Sequence, residues 1–230
     1  MLLWPLQMFY LAKYQAYGYN NVGYVFNTIN VCPKEIKNII NEERFGRPIP
    51  IFGIVGGDWD ERSYNMIESR EYRLFVEHFE GGKEWEEIPE YREIIKSLEA
   101  DDGFSGLGGN KQSPKKYREY LEYWDTIYKK MSEEGYKSQK ELQGKFECIT
   151  YPPSILNEVQ IFIGKNGKLI CKSGKHRLIV AQILDIKLIP VRVAIRHKQW
   201  QETREKISQG DILARDVDFQ HPDLQDLLTD

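Results

Sequence analysis

Lys175, His176 and Arg177 follow Ser173 and Gly174 at a point where an apolar strand pattern gives way to an apolar helix pattern. A helix N-terminus exposes unpaired N–H groups and carries roughly half a positive charge, so its first turn favours acids. Three cationic side chains there oppose that dipole, and a broken local rule of this kind marks a functional site. The chemistry on offer is anion binding. Gly174 lets backbone approach a ligand, Ser173 offers a hydroxyl, and Arg177 can fork onto a phosphate with Lys175 and His176 beside it. A plainer reading stands next to it, in which Ser173 caps the helix and the basic side chains reach outward into water.

Phosphoryl transfer at such a turn would need Mg²⁺ on the phosphates and a carboxylate to hold the metal or take a proton. Gly56-Gly57-Asp58-Trp59-Asp60 is the nearest matching constellation. Asp58 and Asp60, two residues apart behind a Gly-Gly turn, are the candidate metal ligands and, with His176, the candidate catalytic residues. The alternative is a turn capped by one of the two aspartates, with Trp59 folded onto the core. Arg196 and His197 close a later strand and join the candidate phosphate-binding set. His78, inside an amphipathic helix pattern, and His221, before a proline, read as structural.

Other chemistries lack their signatures. Gly103 to Ser113 resembles a phosphate loop only superficially, because it lacks Gly-Lys-Ser/Thr and follows a helix pattern. There is no zinc spacing, no Gly-x-Ser-x-Gly elbow and no cysteine with a nucleophile signature. Cys32, Cys148 and Cys171 are odd in number and lack Cys-x-x-Cys spacing, which predicts reduced thiols in a cytoplasmic chain.

The elements that must position these residues follow from periodicity. Pro33 leads a predicted short helix through Ile40, and Ile49–Val55 reads as a buried strand. Helices are predicted over Ser69–Glu80, Ile88–Glu99 and Pro114–Glu133. The last carries an apolar stripe of Tyr117, Tyr120, Leu121, Trp124, Ile127, Tyr128 and Met131. Asp101–Ser113, rich in Gly and Ser, is a candidate lid. After Pro152-Pro153 the period changes to two. Val159, Ile161 and Ile163 alternate, Gly164-Lys165-Asn166-Gly167 makes a hairpin turn, and Lys168–Lys172 returns. A helix over Lys175–Asp185, a strand over Leu188–Arg196, a helix over Lys198–Ser208 and a short one from His221-Pro222 complete the pattern. The division that results is residues 1–150, mainly helical; 151–208, a core around a small mixed sheet; and 209–230, an acidic tail.

The overall charge of −3 is segregated: Gly164–Lys206 carries eleven Lys/Arg against three acids, a local +8, while Ile207–Asp230 carries −5. Clustered positive charge attracts an anionic ligand. An acidic tail folded back on the basic face accounts for the same numbers, and charge alone does not choose. With 41% apolar residues in 230, the chain can bury a core without disulfide or metal staples. Met1–Ala12 lacks a basic region and a cleavage site, and Trp4-Pro5 and Gln7 interrupt it, so it is expected to dock on the core and not to enter a membrane.

Gly174-Lys175-His176-Arg177, the apolar helix after it and Asp185-Ile186-Lys187-Leu188-Ile189-Pro190-Val191-Arg192-Val193 together resemble the ParB/sulfiredoxin-like superfamily over about Glu158–Trp200. Gly56–Asp60 and Arg196–Trp200 are also similar to motifs flanking such domains in uncharacterised archaeal and bacterial ParB-like proteins. The resemblance implies an α+β fold and nucleotide phosphates (ATP, ADP or CTP) held by Gly174, His176 and Arg177. Lys175 stands where sulfiredoxins need cysteine, so sulfinic-acid repair is not expected. Ser173 stands where free-serine kinases carry aspartate. The expectation is a nucleotide-dependent phosphotransferase acting on a small hydroxylated substrate. Two alternatives stand beside it: a ParB-like nucleotide-responsive or DNA-associated module, which the acidic balance disfavours, and a non-catalytic interaction protein.

Overall fold

The Asn166-Gly167 turn and the alternation on either side of it fold as a hairpin, and the rest of a sheet assembles around that hairpin. The structure, a computed structural model, describes residues 3–22, 28–41, 52–100, 113–143, 157–211 and 217–228. It is mixed α+β, with seven strands in one sheet and eight helices among the described residues. The strands are β1 (Thr28–Val31), β2 (Asn38–Ile40), β3 (Gly53–Val55), β4 (Ser63–Asn65), β5 (Val159–Ile163), β6 (Leu169–Ser173) and β7 (Ile189–His197). The helices are α1 (Leu3–Ala16), α2 (Arg70–Phe75), α3 (Pro89–Glu99), α4 (Pro114–Glu134), α5 (Gln139–Gln143), α6 (Lys175–Ile183), α7 (Lys198–Ser208) and α8 (Gln225–Leu228). No described helix is long and apolar enough to cross a membrane.

The chain divides into two compact units, one of Met1–Asn65, Ser138–Lys175 and Lys187–Asp230, the other of Met66–Lys137 and His176–Ile186. The first holds the whole sheet, in the order β1-β7-β5-β6-β2-β4. β7 is the longest strand and has two neighbours along one edge: β1 runs antiparallel to Ile189–Arg192, and β3 runs parallel to Ile195–His197. On its other edge β5 runs parallel, with Gln160 opposite Arg192 and Ile163 opposite Arg196. Phe162, Ile170, Ile195, Val55, Trp59 and Ile40 form a buried cluster in this unit. Tyr10 and Tyr14 of α1 pack with Val22, Phe52 and Ile54, so the N-terminal helix docks as expected. Residues 1–150 thus supply five of the eight described helices and also four of the seven strands.

The second unit is helical. Ser69 caps α2 by accepting from the Tyr72 N–H (3.2 Å), Pro89 opens α3, and Ser113 caps α4 from the Lys116 N–H (3.3 Å). Tyr117, Leu121, Trp124 and Met131 of the expected stripe are buried. Gly135 ends α4 at φ +77°, and Asp185 ends α6 in the left-handed region at φ +51°, with the Ile186 N–H returning to the Ala181 carbonyl (3.0 Å).

One expected element is replaced. Pro33 starts only a single 3-10 turn, Pro33–Glu35, and the chain then extends into β2 instead of continuing as a helix to Ile40. Ile36, Ile39 and Ile40 are β-branched, and pairing of β2 with β6 and β4 overrides the local helix signal. Of the strand expected over 49–55, only Gly53–Val55 is a described strand, and residues 49–51 lie outside the described residues. So do residues 101–112 of the candidate lid, and Cys148.

Candidate functional site

Strand β6 ends at Ser173, and the chain reverses through Gly174, whose φ of +78° lies where side chains are strained. A Cβ at this position would come within 3.1 Å of the Val159 Cα, so the backbone angle and the tight contact both favour glycine. Helix α6 then begins at Lys175 with no acid in its first turn. Ser173, Gly174, Lys175 and Arg177 are all half-exposed, which leaves this helix end within reach of solvent. His176 turns inward instead. It is buried among aromatic rings of its own unit, 5.4 Å from Phe75, 5.4 Å from Trp124 and 5.9 Å from Tyr120 between centroids. Cys171 lies two residues before Ser173 with its thiol pushed up to about 12 by burial, which removes it as a nucleophile.

Asp58 and Asp60 do not join this turn. Asp58 is exposed at the start of the 3-10 turn Trp59–Arg62, and its side chain makes no cap hydrogen bond. Asp60 is buried, and its Oδ2 accepts the backbone N–H of Lys165 at 2.9 Å while lying against Gly164. Asp60 therefore fastens the hairpin turn. That turn is at the Ile163–Leu169 end of the hairpin, whereas Ser173 and Gly174 are at the Val159 end. Four strand rises separate the two ends, about 13 Å. One carboxylate in water and one spent on a backbone amide, both at the far end, do not fit Mg²⁺ held on phosphates at Gly174. Among the described residues no group of three or more His, Cys, Asp or Glu is placed to hold a metal ion.

Arg196 and His197 are also at the hairpin-turn end, because β5 runs parallel to β7 and sets Ile163 opposite Arg196, and β3, parallel to β7 on its other edge, ends beside His197. His197 Nδ1 accepts the Gln199 N–H (3.1 Å) and so caps α7, which leaves Nε2 to donate to the Gly57 carbonyl at 2.7 Å. The Trp59 ring is 5.7 Å from it, so the two motifs Gly56–Asp60 and Arg196–Trp200 pack on each other. Arg196 is buried and forks onto Asp223, with Nε 2.8 Å from Oδ2 and Nη2 2.6 Å from Oδ1. Trp200 Nε1 donates to the same carboxylate at 2.8 Å. Arg204, fully buried, reaches Asp226 (Nη2 to Oδ2, 2.8 Å) and lies 3.5 Å from Asp223. Burial opposes the charge on Asp223, but Arg196 and then Arg204 outweigh it and hold the carboxyl below the usual range. The acidic tail therefore does fold back and neutralise two of the basic residues, and Arg196 and His197 hold the fold, away from the Gly174 turn.

Arg192 is the residue that sequence reading passes over. It is 1% exposed on β7, and its Nη2 donates to Gln160 Oε1 at 2.5 Å. Its Nε and Nη1 meet no acceptor among the described residues. Burial alone pulls its pKa down to about 10, so the guanidinium still carries its charge at neutral pH. In the sequence it sits on the polar side of an alternating strand, where an arginine signals a solvent-facing position. Only the sheet shows that this position is closed.

In comparisons with protein-family models, curated proteins and solved structures, nothing matches this chain.

Proposed function

We propose that this protein binds a nucleotide, ATP, ADP or CTP, with its phosphates at the Gly174 turn and the N-terminus of α6. The observation that carries the reading is the local geometry: a left-handed glycine pressed against Val159, then a solvent-reachable helix end with cations in place of acids. The resemblance of Gly174–Arg177 and the following Ile-Pro-Val strand to the ParB/sulfiredoxin-like superfamily supports the same ligand class. In this reading Ser173, Lys175 and Arg177 contact phosphate, while His176 anchors the first turn through its aromatic surroundings.

A phosphotransferase acting on a small hydroxylated substrate is the extension of this reading that the sequence favours, but Asp58 and Asp60 are too distant to serve it. Nucleotide binding is therefore the function advanced. The DNA-associated alternative is disfavoured by the acidic balance of the chain, of which Asp223 and Asp226 pair Arg196 and Arg204.

A thermal-shift panel with ATP, ADP and CTP, each with and without Mg²⁺, tests the proposal. A nucleotide at 100 times its dissociation constant should stabilise the chain by about 2.7 kcal/mol. Arg177→Gln should weaken that shift at least severalfold, and Gly174→Ala should reduce it further. No shift with any nucleotide would overturn the reading.

A further inference from the structure

Removing a guanidinium from water is costly unless a counter-charge replaces the water. Arg196 and Arg204 have Asp223 and Asp226. Arg192, equally buried and still charged, has one amide oxygen. Three of its five N–H donors, the one on Nε and the two on Nη1, have no acceptor among the described residues. A buried cation with open donors is a half-built anion site.

Its position supplies the second half of the argument. Register aligns Thr28, Arg192, Gln160 and Ser173 across β1, β7, β5 and β6, with paired residues on one face of the sheet. This row is polar from strand to strand, while the neighbouring row on the same face holds Ile195, Phe162 and Ile170. Thr28 is exposed, and Gln160 and Ser173 are half-exposed, so polar groups lead from solvent to the guanidinium. Ser173 is also the residue before Gly174. Two strand spacings separate it from Arg192 along the row, about 10 Å between backbones. The long arginine side chain and a chain of phosphates together bridge that interval.

We propose that Arg192, oriented by Gln160, is a subsite for a phosphoryl oxyanion of the ligand seated at Gly174, so that the protein selects nucleoside di- and triphosphates over monophosphates. This rests on the nucleotide-binding reading and deepens it. The Nη1 donors, on the edge of the guanidinium away from the Nε–H, take an oxygen of the anion in charge-assisted hydrogen bonds. The anion supplies the counter-charge that the fold omits.

Titration calorimetry on the full chain with AMP, ADP, ATP and inorganic tripolyphosphate tests this, using wild type, Arg192→Met and Arg192→Lys. The Met variant should lose at least tenfold in affinity for ADP, ATP and tripolyphosphate, and little for AMP. Without ligand it should melt at or above the wild-type temperature, since it removes an unpaired buried charge. The Lys variant keeps the charge without the planar guanidinium donors and should fall between the two. Wild-type affinities in both variants would overturn the subsite and leave the nucleotide reading intact. A large drop in melting temperature with unchanged anion affinity would make Arg192 structural and also overturn it. Binding of tripolyphosphate that Arg192→Met abolishes, with no binding of any nucleoside phosphate, would uphold the subsite and overturn the nucleotide reading.

Discussion

Three arginines are buried in the sheet unit among the described residues, and the difference between them is the difference between architecture and a site. Arg196 and Arg204 converge on Asp223, which also accepts from Trp200, so one carboxylate serves two cations and an indole. Asp223→Asn leaves Arg196 buried without its partner and should cost about 3–5 kcal/mol in urea unfolding. The pH dependence follows from the direction of the shift. Because the folded carboxyl is held below its ordinary value, its contribution is complete above about pH 3.9 and is lost as pH falls through the folded pKa. The Asn variant should lack that acid limb. A variant as stable as wild type would show that the tail, not this ion pair, holds the strand end.

The C-terminal elements are joined to the sheet by a histidine. His221 Nδ1 accepts the Asp223 N–H (3.1 Å) to cap the 3-10 turn Pro222–Leu224, and Nε2 donates to the Gly167 carbonyl at 2.8 Å. Burial, only partly offset by that hydrogen bond, lowers its pKa. Its contribution is therefore full above the unfolded value, about 6.5, and is lost as pH falls through the folded one. Hydrogen exchange at residues 223–228 should accelerate on acidification before the β5–β6–β7 amides do, and His221→Gln should blunt that dependence. Simultaneous loss of protection everywhere would contradict it. Elements with strong local signals were legible in the sequence: the Asn166-Gly167 hairpin, α4 with Ser113, Pro114 and Gly135 at its ends, and α7. Strands β1, β2 and β4 are three or four residues long and owe their existence to partners far along the chain, which is why Pro33 misleads. The Gly174 turn was legible because strand, glycine and helix are contiguous. Asp58, Asp60, Arg196 and His197 lie away from the Gly174 turn because β7 runs parallel to both β5 and β3, and no spacing encodes strand order.

At the scale of the molecule, the charge pattern resolves into two parts. Asp223 and Asp226 of the −5 tail pair with Arg196 and Arg204 of the basic segment, while buried Arg192 keeps Nε and Nη1 without an acceptor among the described residues. The Gly174 turn follows directly on β6 of the sheet. In the proposed reading, a ligand there would be held by backbone whose left-handed angle favours glycine. Amide chemical-shift mapping with ATP is the most direct test of this account. The N–H signals of Gly174, Lys175, His176 and Arg177 should move first and farthest, while those of Asp58, Asp60 and His197 stay put. A response centred on residues 57–60 and 196–200, with the Gly174 turn unmoved, would contradict it.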